Sequence, residues 1–97
     1  MFANKVTISM RQRNARQCVT LIEDLEDELD IKRIAKFMGK EFHCNSNVLK
    51  DEQGYEIIRL TGDQRQTSQD FLIKHRYVSL IKLLLEEYNY YFVLYPL

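Results

Sequence analysis

Hydrophobic and polar positions change period several times along this chain, and each change marks an element. Val6, Ile8 and Met10 alternate with Thr7 and Ser9, the period-two pattern of a half-buried strand. Residues 17–23, QCVTLIE, are rich in β-branched types and predict a second strand. Between them lies the polar stretch RQRNAR, residues 11–16, centred on Asn14, a residue type that tolerates the left-handed backbone a hairpin turn needs. The two strands therefore form a hairpin with an arginine-rich tip. After Asp30, an N-cap by type, Ile31, Ile34, Ala35 and Met38 recur at i, i+3, i+4 and i+7, one face of a helix. Lys32, Arg33, Lys36 and Lys40 fall off that stripe, so their charges face solvent. Gly39 weakens the end of this helix. Residues 42–50 predict a third strand and 55–61 a fourth, joined by a turn over DEQG, 51–54, with Gly54 suited to positive φ. Gly62 breaks that strand. Asp63 and Gln66 form a D-x-x-Q capping box that opens a second helix over 64–75.

The C-terminal stretch carries both periods. Val78, Ile81, Leu85 and Tyr88 fit a helix face, while NYYFVLYPL at 89–97 fits a strand, and Pro96 ends either. The order β-β-α-β-β-α with a closing C-terminal element predicts an α+β fold. Its sheet is antiparallel or mixed, four- to five-stranded, with two helices on one face. Ile8, Val19, Leu21, Ile34, Met38, Phe42, Ile58, Leu60, Phe71 and Leu72 are the core candidates.

Composition narrows the classes. A chain of 97 residues, 45% hydrophobic, with three glycines and one proline, is a single folded domain over 1–97, with 77–97 as a C-terminal element of its own character. The longest unbroken apolar stretch, Tyr90 to Tyr95, is far short of the roughly 20 residues of a membrane span, so no membrane partner is expected. The N-terminus lacks the apolar block of a secretory signal. Cys18 and Cys44 form no CxxC pair and read as reduced thiols of an intracellular core. His43 and His75 have no second ligand pair at metal-site spacing, so neither a metal nor a cofactor is expected.

The formal net charge is zero, with 14 basic and 14 acidic residues, but the charges are segregated. Residues 1–22 carry Lys5, Arg11, Arg13 and Arg16 and no acid. The run EDLEDELD at 23–30 follows with acids only, and 31–40 is again purely basic. A charge run is ordinarily a solvated face. Two basic segments around an acidic one can also fold onto one face with the acids elsewhere, which makes a local nucleic-acid contact without bulk positive charge. No Gly-rich phosphate loop, H-E-x-x-H or G-x-S-x-G is present, and the acidic run lacks the alternating ligands and glycine of a calcium loop. Nothing points to catalysis.

Three stretches in order carry more information: QRNAR at 12–16, FHCNSNV at 42–48 and LTGDQR at 60–65. With this spacing they resemble the family of eukaryotic translation initiation factor one, the SUI domain. That family has a QRNGRK hairpin tip, an FxCNG strand start and an LQGDQR junction. The likeness runs without a gap over residues 6–65 and continues to Phe71 and Leu72. It implies a non-enzymatic factor, monomeric and cytoplasmic (in the host cytoplasm if virus-encoded), without cofactors. Such a factor binds the small ribosomal subunit near the P site and supports scanning and start-codon selection. The resemblance implies rRNA contacts for Arg11, Arg13, Asn14 and Arg16 at the tip and for Lys32, Arg33, Lys36 and Lys40 on the first helix. It implies a start-codon fidelity junction at Gly62, Asp63, Gln64 and Arg65. Other initiation factors are implied as partners, and initiator tRNA as a neighbour of the 51–54 loop. The chain departs from the pattern at Ala15, where glycine is usual, and at Gln17, Gly39 and Glu41, where basic residues are common, which lowers the rRNA-facing charge. A reading from a different class is a protein-interaction module that keeps the fold without the ribosomal role. Its aromatic tail, Tyr88, Tyr90, Tyr91, Phe92 and Tyr95, would be the docking surface. A strand closing the edge of the sheet is the plainer account of the same residues.

Overall fold

The computed structural model describes residues 6–25, 29–75, 80–86 and 89–95. Strands β1 (Val6–Gln12) and β2 (Cys18–Glu23) form the expected hairpin, followed by helix α1 (Ile31–Phe42). Strands β3 (Ser46–Lys50) and β4 (Glu56–Thr61) lead to helix α2 (Arg65–Lys74), then to β5 (Leu80–Glu86) and β6 (Asn89–Tyr95). The sheet order is β3-β4-β2-β1-β6-β5, and every pairing is antiparallel. The α+β class and the element order through α2 are as the periodicity predicts. The strand count is not: the sheet has six strands because the tail folds as a hairpin rather than one closing element. β6 lies between β1 and β5, with Phe92 opposite Ile8 and Leu83 opposite Phe92. The aromatic segment is thus an interior strand whose backbone pairs on both sides, and the edge is β5. Val78, Tyr88 and Pro96 lie outside the described residues.

Pairing sorts the side chains onto two faces. Ile8, Ile22, Ile58 and Val48 form one cross-strand row, and Thr20, Leu60 and Ser46 extend that face. α1 packs over β3 and β4, and α2 over β1. Ile31, Ile34, Ala35 and Met38 of α1 and Phe71 and Leu72 of α2 bury against Val6, Ile8, Ile22, Ile58 and Leu60. Phe42 is half-buried at the rim of this core, with its ring edge-on to Phe71 at 5.8 Å. Leu21 is not a core residue. It pairs with Ser9 and Arg59 on the face away from the helices, where it stays half-buried. Val19 shares that face and is nonetheless buried.

The strand expected over 42–50 begins only at Ser46, because α1 runs on to Phe42 and is closed by His43. His43 adopts the left-handed conformation (φ 53°), and the N–H of Cys44 donates to the Gly39 carbonyl at 3.0 Å. Gly39 does not fray the helix. A Cβ there would stand 2.9 Å from Ser46 Cβ and 3.2 Å from the Cys44 carbonyl oxygen, so glycine lets β3 approach α1. Gly39→Ala is therefore expected to lower the thermal midpoint. Overpacking against strand atoms costs about 1–3 kcal/mol, more than the roughly 1 kcal/mol that alanine gains in helix propensity. In a Ser46→Gly background the penalty should shrink, because only the Cys44 carbonyl oxygen at 3.2 Å then crowds the added methyl. Thermal denaturation of the four variants checks this, and an equal effect of Gly39→Ala in both backgrounds would contradict the pairing.

Candidate nucleic-acid interface

The hairpin tip is a compact, fully exposed loop whose shape is set by amides rather than arginines. Asn14 Oδ1 accepts from the backbone N–H of Arg16 at 2.9 Å and of Gln17 at 3.0 Å. The Gln17 carbonyl accepts from the N–H of Arg13 at 2.8 Å and of Asn14 at 3.2 Å, and the Gln12 amide donates to the carbonyls of Asn14 and Gln17. Asn14 thus acts as an acceptor-built turn residue and not, as its type suggested, through positive φ. Among the described non-glycine residues only Asp24 and His43 have positive φ. Ala15 therefore fits without backbone strain, and Gln17 has a structural duty of its own. Arg11, Arg13 and Arg16 are left with exposed side chains.

Three candidate segments meet at the tip end of the sheet. The Gly62 N–H donates to the Cys18 carbonyl at 2.9 Å, tying the junction to the base of the hairpin. The Thr61 N–H donates to the Asn45 carbonyl at 3.1 Å, and the Asn45 N–H to Thr61 Oγ1 at 3.0 Å, which brings in the C-terminal end of α1. A cleft of about 500 Å³ between Lys40, His43, Cys44 and Thr61 lies where the α1 end meets the end of β4. Burial pushes the Cys44 thiol pKa up, against the lowering effect of its Thr61 hydrogen bonds. α1 starts from the Asp30 cap, whose Oδ1 accepts from the Arg33 N–H at 3.2 Å. Lys32, Arg33, Lys36 and Lys40 are all exposed along it.

The opposite end collects acids. β2 leaves the tip and ends at Glu23, and the β3–β4 turn beyond Lys50 carries Asp51 and Glu52 before Glu56. Asp51 Oδ1 holds this turn by accepting from the N–H groups of Gln53 and Tyr55, and Gly54 takes φ 88° as the turn chemistry expects. Glu23, Asp51, Glu52 and Glu56 thus lie at the strand ends away from the arginine tip. The 51–54 loop lies at the far end from Arg13, Arg16 and the junction.

The junction 62–65 differs from its expected form. α2 begins at Arg65 with Gln64 in the cap position, and Gln64 makes no side-chain cap bond. Asp63 does not cap through Gln66. It grips Arg65, accepting from Nε and Nη2 at 2.8 Å each, and that bond holds its carboxyl below the ordinary carboxylate range. Chain geometry explains this: Asp63 sits one residue too early, outside the helix start. The residue that closes the junction is Thr20 of β2, fully buried. Its hydroxyl donates to the Gly62 carbonyl at 2.8 Å and accepts from the Gln64 N–H at 2.8 Å. Thr20 escaped the sequence reading because its partners are 42 and 44 residues away. Among the described residues no three His, Cys, Asp or Glu side chains gather as metal ligands.

Residues 3–78 match the family Translation initiation factor SUI1. The chain is 44% identical over 71 residues to Protein translation factor SUI1 of Eremothecium gossypii, covering 73% of this chain and 66% of that protein. Over the same length it is 42% identical to Eukaryotic translation initiation factor eIF-1 of Saccharomyces cerevisiae, again 73% and 66%. It is 41% identical over 69 residues to Protein translation factor sui1 of Schizosaccharomyces pombe, covering 71% and 63%. The matches thus span a little under two-thirds of these relatives' own length.

Proposed function

The chain belongs to the SUI1 family, whose members are translation initiation factors and not enzymes, and from that premise we propose that it works in translation initiation by docking its basic tip end on the small ribosomal subunit. In this reading Arg11, Arg13 and Arg16 contact rRNA phosphates, with Asn14 holding the loop that presents them. Lys32, Arg33, Lys36 and Lys40 add a second row of contacts along α1. Arginine forks suit phosphate bidentately, and such contacts position a protein without reading sequence, as docking on one rRNA site requires. The junction 62–65 tunes start-codon selection near the P site, and Thr20 fixes its backbone. The acidic end, with the 51–54 loop, faces the initiator tRNA side, where repulsion from phosphate favours departure once the codon is paired. The factor acts as a cytoplasmic monomer of one domain, beside other initiation factors and without a cofactor.

The observation that carries this reading is the convergence of tip, junction and α1 end at one end of the strands, through Gly62 to Cys18 and Thr61 to Asn45. Three motifs that are separate in sequence form one surface. Sedimentation through sucrose with purified ribosomal subunits tests it. The chain should travel with small subunits and stay behind with large ones. Failure to travel with small subunits would favour the interaction-module reading instead.

A further inference from the structure

Phe37 is the one exposed aromatic residue on α1, 44% accessible, and it stands among the cations that the proposed function assigns to rRNA. Lys32, Lys36 and Lys40 follow each other at four-residue steps, a rise of about 6 Å each along the helix. Arg33 and Phe37 lie on the neighbouring row. The Arg33 guanidinium carbon sits 5.4 Å from the Phe37 ring centroid, so the ring is already paired with a planar cation. Phe37 also borders a groove of about 460 Å³, shared with Lys40, Glu41, Phe71 and His75. The far wall is aromatic and firmly set. Phe71 is buried, its ring edge-on to Phe42 and 4.4 Å from the His75 ring.

We infer that this groove holds a single unstacked nucleobase of the RNA whose phosphates lie on the lysine row. This rests on the proposed function for the RNA and adds the base. Sequence-tolerant single-strand contacts combine a cationic track for the backbone with an aromatic face for the base, and both are present here one helical row apart. An acidic apolar peptide would also meet the lysines, but Glu41 on the groove wall repels it. The same carboxylate can accept a hydrogen bond from an N–H on the edge of the base. Glu41, which lowers the basic charge of α1, thereby gains a role: it holds the base by its edge while Phe37 holds its face.

Binding to purified small subunits, measured by fluorescence anisotropy, is compared for the full chain and for Phe37→Ala, Phe37→Trp and Lys36→Ala. Chemical probing of the Watson–Crick edges of the rRNA accompanies each. Loss of one stacked base is expected to weaken Phe37→Ala by roughly 5- to 150-fold without changing the salt slope. Lys36→Ala should instead flatten the slope by about one unit. One base protected by the parent chain and by Phe37→Trp should become reactive with Phe37→Ala. Parent-like affinity of Phe37→Ala overturns the inference, and so does weaker binding with an unchanged protection pattern, which would mean a protein contact. If the parent chain itself does not bind small subunits, the functional reading fails first. Phe37 is exposed, so its variants should melt with the parent chain, and that is checked alongside.

Discussion

Arg13→Glu combined with Arg16→Glu is expected to abolish binding to small ribosomal subunits while the protein stays folded. Both side chains are exposed, and the loop is held by Asn14, Gln12 and Gln17 through bonds that use only the backbone of the two arginines. Exposed substitutions of this kind stay within about 0.5 kcal/mol of folding stability. On the RNA, hydrogen bonds to charged groups contribute about 1.5–3 kcal/mol each. Losing two therefore weakens binding by roughly 10²- to 10⁴-fold, before repulsion between the new carboxylates and phosphate is added. Lys36→Glu should weaken binding less, because lysine is a point charge without a bidentate fork. Affinity from subunit titrations and melting by circular dichroism are read together. A double variant that binds normally, with Lys36→Glu failing, would move the interface from the tip to the helix. A double variant that unfolds would make the arginines structural.

Thr20→Val should be the most damaging single substitution for the junction. The two side chains have nearly the same shape, so the loss is chemical. Valine leaves the Gly62 carbonyl and the Gln64 N–H without the hydroxyl that serves both. An unsatisfied buried polar group costs about 1–3 kcal/mol. The junction is partly open to water, which takes up some of that, so about 2–4 kcal/mol in total is expected. Thr20→Ser keeps the hydroxyl and should recover most of it. Urea denaturation measures the loss, and amide hydrogen exchange at Gln64 locates it. Parent-like exchange at Gln64 in Thr20→Val would contradict this role.

The parts of this protein that were legible in its sequence are those governed by local period and local chemistry. Alternation at Val6, Ile8 and Met10, the stripe from Ile31 to Met38, and the Asp30 cap all appear where the residues place them. The arginine tip was legible because polar residues between two strands leave few other conformations. What escaped depends on contacts between distant segments. Gly39 looks like a helix weakness until Ser46 is brought within 2.9 Å of its missing Cβ. His43 ends the helix in a conformation that its type does not announce. Asp63 with Gln66 has the letters of a capping box, but the helix starts at Arg65, and Arg65 claims the carboxylate. In the tail, Ile81 and Leu85 have the spacing of a helix face, but pairing with β6, itself paired to β1, makes 80–86 a strand. At the candidate site, the segments were legible as motifs, but their meeting at one end of the strands follows only from the β2–β4 and β3–β4 registers. Phe37 carried no sequence signal, because a single aromatic beside a core stripe reads as ordinary packing.

Engagement of small-subunit RNA by the basic tip end is tested most directly by the salt dependence of binding. Each phosphate neutralised contributes a slope of about −0.7 to −0.9 in log affinity against log salt concentration. With roughly three to five cations of the tip and α1 engaged, labelled protein titrated with purified small subunits over a salt series should give a slope of about −2 to −4. A slope near zero, or no binding to small subunits at any salt concentration, would contradict it.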